Sequence, residues 1–240
     1  MIAEPDPPSD RPISGRRFAR VRALALLGAA APIVYLAALL IGAWLWPEYS
    51  AYSESVSTLT STGAPNQWIL VPLFAFYNVG LICLAVGLLL VFDHRWSARL
   101  GPIFLATAGA VGLVLFAFPQ DPWGAPITST GFGHIVLAGV IALCFLLALG
   151  FTWRAMRADP SWVGFDRFTL VMLVLGVAVG LFGALSVASP YAGLAERASI
   201  GVFLLWTEVT AWGLYLRGER SPAAREDRPV AFPQGEPRSV

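Results

Sequence analysis

Residues 68–92 read WILVPLFAFYNVGLICLAVGLLLVF. No charged side chain interrupts these 25 residues. At about 1.5 Å of rise per residue the run is long enough, as a helix, to cross roughly 30 Å of hydrocarbon. A membrane strand would alternate polar and apolar residues, and this run does not. Backbone groups in lipid must pair within their own segment, so the run reads as a transmembrane helix.

Five further apolar blocks flank it, at about residues 21–46, 100–118, 134–153, 168–187 and 199–216. The chain is 57% hydrophobic and 13% charged, where a soluble domain has about a quarter of its residues charged. The expected fold is therefore all-α: a polytopic six-transmembrane-helix bundle over residues 21–217. The tails 1–20 and 218–240 are polar and proline-rich and are expected to be disordered. The first block is too long for a secretory signal, and no small-x-small cleavage site follows it, so it reads as a retained anchor.

Orientation follows from arginine. With six spans, 15 of the 16 basic residues fall on one side, and Arg197 stands alone on the other. This bias puts both termini in the cytoplasm. Trp44, Trp46, Tyr49 and Trp68 mark the outer interface; Trp96, Trp153 and Trp162 mark the inner one. The basic residues are all Arg and none is Lys, which reads as a GC-rich, bacterial origin. The expected location is the bacterial plasma membrane, multi-pass.

Several function classes lack support. No basic patch interleaves with aromatics, so no nucleic-acid partner is expected. Cys83 and Cys144 lie inside apolar blocks without zinc or redox spacing. Neither a metal nor a cofactor is expected. No inverted repeat of the transporter kind is visible. The small residues Gly109, Gly112, Gly176 and Gly180 suit close helix packing, with a homo-oligomer left open.

The polar residues that could carry chemistry gather at the outer side. The first connection offers Glu48, Ser53, Glu54, Ser55, Ser57 and Thr58, with Asn66 placed to cap the second helix. The second reads FPQDPWGAPITSTGFGH, residues 118–134. Asp121 to Gly124 fits a type I turn, and His134 opens the fourth span. The third carries Glu196 and Arg197, an exposed pair of little energetic weight. Asn78 and Glu208 sit deeper. A charge at the depth of Glu208 costs roughly 2.5–3.5 kcal/mol, so it needs a partner, and Asn78 is the candidate. Arg197 and Glu208 share one helix face by spacing. Ser55, Ser57, Asp121, His134, Glu196, Arg197 and Glu208 could thus converge on one outer cavity holding a hydroxyl, a base and carboxylates.

Three stretches carry a family resemblance: YSAYSESVSTLTSTGAPNQW, FPQDPWGAPITSTGFGH and GLAERASIGVFLLWTEVTAW. Over about residues 22–217 the chain resembles the membrane family known as domain of unknown function 998. The matching positions are Ser55, Ser57, Gly63, Pro65, Asn66, Phe118, Pro119, Asp121, His134, Gly193, Leu194, Glu196 and Arg197. The resemblance implies a multi-helix membrane protein and no particular activity. The Ser, Asp and His set is also faintly similar to membrane hydrolases related to alkaline ceramidases. Those bind zinc through three His; this chain has two His, and His94 falls on the opposite side.

The leading expectation is a membrane protein that binds a lipid or small amphiphile at its outer face through Glu196, Arg197, Glu208 and Asn78. Three alternatives stand beside it. One is a lipid or amide hydrolase using Ser55 or Ser57 with Asp121 and His134. Another is a proton-linked carrier using Glu208, and the third is a structural or assembly role.

Overall fold

The computed structural model describes residues 15–92 and 95–219. Most of both tails, and His94, lie outside the described residues. Six α-helices follow one another: α1 Gly15–Leu45, α2 Gln67–Val91, α3 Trp96–Val114, α4 Ser129–Arg157, α5 Phe165–Leu185 and α6 Ala192–Glu219. All six are long and apolar enough to cross a membrane, and no strand occurs among the described residues. The protein is a multi-pass membrane protein in a lipid bilayer.

Helix ends depart from the apolar blocks. α1 begins at Gly15 instead of residue 21, so residues 15–20 are helical where a disordered tail was expected. α4 begins at Ser129, five residues before His134, and α6 begins at Ala192, before Glu196 and Arg197. Hydropathy marks the part of a helix that lies in hydrocarbon, and the helix itself continues into the polar interface.

The packing order closes a ring. Each helix packs on its neighbours in sequence, and α6 returns to pack on α1. Small residues set the spacing. A Cβ on Gly80 would lie 2.4 Å from that of Ala31, joining α2 to α1. A Cβ on Gly109 would lie 2.6 Å from the Asn78 carbonyl oxygen, joining α3 to α2. Between lipid-bathed helices such close approach supplies dispersion energy that the hydrophobic effect does not. Gly176 has Leu146 and Phe203 against it, whereas Gly180 faces open space. The GxxxG pair of α5 is thus only half used inside the bundle.

The core has two parts. The larger runs through all six helices and includes Leu81, Leu84, Leu149, Met156, Trp206 and Leu214. The smaller lies at the end of the bundle away from Gly15 and Glu219, called the distal end below, and joins Ala38, Tyr49, Val56, Leu59, Leu70 and Phe74. Trp162, read as an interfacial aromatic, is fully buried. It packs on Phe92 and Phe165, and the Arg217 guanidinium stands 3.2 Å from its ring centroid. A cation over an indole covers the ring and takes it away from the lipid interface.

Candidate functional site

At the distal end the α1–α2 connection is ordered. It contains a 3-10 turn, Val56–Thr60, whose Leu59 is buried between α1 and α2. Ser55 caps this turn: its hydroxyl accepts from the Thr58 backbone N–H at 3.2 Å. The same hydroxyl donates to Gln120 Oε1 at 3.0 Å. Ser57 supplies its carbonyl to the Thr60 hydroxyl.

Glu196 and Arg197 are half-buried, not an exposed pair, and they fasten this connection to α6. Glu196 Oε2 accepts from the Val56 N–H at 2.8 Å. Arg197 donates to the carbonyls of Glu54 at 2.8 Å and Gly193 at 2.9 Å, and to the Tyr49 hydroxyl. Tyr49 in turn donates to the Ser55 carbonyl at 2.9 Å. Burial pushes the Tyr49 phenol above its ordinary value, with Arg197 pulling the other way. Gly193 completes the seam, since a Cβ there would lie 2.2 Å from the Glu54 carbonyl oxygen. Only glycine lets the two backbones meet this closely.

Asp121 and His134 form a second group on the α3–α4 connection. Asp121 accepts from the backbone N–H and the hydroxyl of Thr128, each at 2.8 Å. Thr128 in turn caps α4 by accepting from the Gly131 N–H. The tight turn lies one residue later than expected. Ala125 N–H donates to the Pro122 carbonyl, and Gly124 takes φ +79, the third-position requirement of a type II turn. Asp121 is therefore free of the turn and serves the helix start. His134 lies one turn and a half inside α4, buried, with Nδ1 2.8 Å from the Phe118 carbonyl oxygen. Ser55, Asp121 and His134 each bond to other groups, and none of the three bonds to another.

The deep polar residues do not pair. Asn78 donates to the Phe74 carbonyl one turn back at 3.1 Å and packs against Gly112 of α3. Glu208 Oε1 accepts from Trp212 Nε1 of its own helix at 2.7 Å. The spacing of four residues puts both on one face, so α6 satisfies that oxygen without help from α2. Glu208 Oε2 is buried without a partner. Among the described residues no three His, Cys, Asp or Glu side chains gather as metal ligands.

The expected convergence is thus replaced by two anchoring networks, linked through Gln120. An open groove of about 570 Å³ lies beside them, where α2 begins. Asn66, Gln67, Trp68, Val71 and Pro72 line it, with Gly63 and Ala64. None of the site residues anticipated from the sequence lines it. Asn66 was expected to cap α2, but it adopts the left-handed conformation, φ 66, and its side chain makes no capping bond. Its amide donates instead to the Leu45 carbonyl at 3.4 Å. The sequence signal for the groove is Trp68 directly after two amides, Asn66 and Gln67, where the tryptophan by itself marks only an interface.

A family model described as "Protein of unknown function (DUF998)" matches residues 29–213. The chain belongs to this family. The matched range takes in both anchoring networks and the groove, and omits both tails. No curated protein and no solved structure matches the chain. Membership of DUF998 therefore adds no activity.

Proposed function

We propose that this chain binds a lipid or another small amphiphile at its distal end, which the arginine bias assigns to the outside. The observation that carries the reading is the composition of the groove along its depth. Asn66 and Gln67 form a polar rim, and Trp68, Val71 and Pro72 continue it as an apolar wall. Trp68 is 78% exposed, so its ring is free to lie against a ligand. A polar rim over an apolar wall at the membrane boundary complements a molecule with a head and a tail. The anchoring of Ser55, Asp121 and His134 to structural partners favours binding over hydrolysis.

The test is photo-crosslinking of the full chain in bilayers that contain a diazirine-bearing lipid, followed by peptide mapping. Label is expected to concentrate on residues 63–72 and to fall in Trp68→Ala. Even labelling of all lipid-facing helices would overturn the proposal.

A further inference from the structure

α4 and α5 run together through one half of the bundle. Near their short connection the Thr169 hydroxyl donates to Met156 Sδ at 3.5 Å. Further along, Leu173 comes to 3.9 Å of a Cβ built on Gly150, and Leu146 to 3.3 Å of one built on Gly176. At that level Phe145 of α4 also stacks on Phe203 of α6, with ring centroids 4.6 Å apart. Gly176 lies at the middle of α5.

Towards the distal end the two helices part. Ala142 and Gly139 stand four and seven residues before Leu146, so they share its face of α4. Gly180 stands four residues after Gly176, on the same face of α5. Parallel helices would press these residues together. Instead all three are exposed, and a Cβ on Gly139 or Gly180 meets nothing within 4 Å. Leu143 and Leu181 beside them are 57% and 62% exposed. α5 leans towards α6 here, and the Ser199 hydroxyl donates to the Val179 carbonyl at 3.0 Å. The space between α4 and α5 is thus a wedge. Leu146, Gly176 and the Phe145–Phe203 pair form its floor.

The wedge has the depth of one leaflet. From Gly176 to Leu185 α5 rises about 14 Å, and half of the hydrocarbon is about 15 Å thick. Gly139, Ala142, Val177 and Gly180 form the walls and carry no polar side chain, so water has no partners there. A spanning helix of a second copy is about 10 Å across and needs room through both leaflets. The wedge closes at mid-depth and denies it that room. A lipid tail is slender, flexible and about as long as the wedge is deep.

We propose that the wedge holds an acyl chain of a lipid from the distal leaflet, as a tail-binding site separate from the groove where α2 begins. The tail runs between α4 and α5 and ends on Leu146 and the Phe145–Phe203 pair. The head stays at the interface, and no charged side chain among the wall residues reaches for it. The site therefore reads the tail and not the head.

Native mass spectrometry of the purified full chain, titrated with phosphatidylglycerol in detergent, tests this. Gly180→Phe and Gly139→Phe fill the wedge from opposite walls, where each side chain has room. Either should weaken the tightest lipid site about tenfold or more. Leu170→Phe, on the exposed face of the other half of α5, should leave it unchanged. Repeating the titration in a Trp68→Ala background makes the result independent of the groove: the loss should persist there, whatever Trp68→Ala does by itself. If one filling variant does not fold, the other gives the same readout. Lipid binding that matches the parent in the filled variants would overturn the proposal. The same spectra report the mass of the assembly. A dimer of the parent that the filled variants lose would give the wedge to a second copy and would also overturn it.

Discussion

Arg197, in the second turn of α6, donates at 2.8 Å to the backbone carbonyl of Glu54, 143 residues earlier in the chain. The guanidinium holds the α1–α2 connection from beneath, while its neighbour Glu196 holds the Val56 N–H. Removing the guanidinium leaves partly buried carbonyls unpaired. Arg197→Met should therefore cost about 2 kcal/mol. Thermal unfolding in detergent measures this, together with protease cleavage within residues 50–62. Unchanged melting and unchanged cleavage would show that the clamp contributes nothing.

Gly193 and Gly180 make a matched pair. A methyl group on Gly193 meets the Glu54 carbonyl at 2.2 Å, and one on Gly180 meets nothing within 4 Å. Gly193→Ala should lose about 1–3 kcal/mol through forced backbone movement. Gly180→Ala should stay within about 0.5 kcal/mol of the parent. A large loss at Gly180 instead would reveal a contact with another chain, and crosslinking would then identify it.

Tyr49 gives the clamp a pH signature. Burial raises its phenol above 10.0, so the folded state holds the proton more tightly than the unfolded state. Its stabilisation is complete below the unfolded value of about 10 and is lost as pH rises through the folded value. Stability curves of the parent and Tyr49→Phe should run parallel from about pH 7 to 9. Above about pH 10 the parent should lose stability faster. Parallel curves throughout the alkaline range would contradict the burial.

The arginine bias predicts which end faces outward. In a variant without Cys83 and Cys144, a cysteine at Thr62 or Ile127 should react with an impermeant reagent applied to intact cells. One at Ser97 should react only after permeabilisation. All three positions are exposed at the surface of the protein. The reverse pattern would invert the orientation.

Glu208 is held at one oxygen by Trp212. Glu208→Gln keeps an acceptor for the indole and removes the proton site, so it should melt within about 1 kcal/mol of the parent. Under a proton-carrier role the folded variant would instead lose pH-driven uptake in proteoliposomes. A folded variant lacking such uptake, beside an active parent, would favour the carrier.

The bundle was legible because lipid imposes one rule on every span, and residues 68–92 display it openly. The distal end was legible as a place where polar residues gather. The partners were not legible, because they depend on contacts between distant segments. Nothing in the local sequence says that Gly193 touches Glu54, or that Glu196 reaches Val56. Asn66 looks like a helix cap, but its left-handed backbone turns the amide towards Leu45. Trp162 looks interfacial until Arg217, 55 positions later, covers it. Glu208 was assigned a partner across the bundle because its depth demands one, and a residue one turn along its own helix met the need at one oxygen.

Because α6 packs beside α1, the earliest and the latest made of these six spans are neighbours. Gly28 of α1 abuts both Leu84 and Ala211, so one flank of α1 stays bare until α6 is made. A chain truncated before α6 would expose this seam to lipid and would also leave residues 53–56 without their anchor. Of the six spans, the α1–α6 seam can therefore close only after α6 is made.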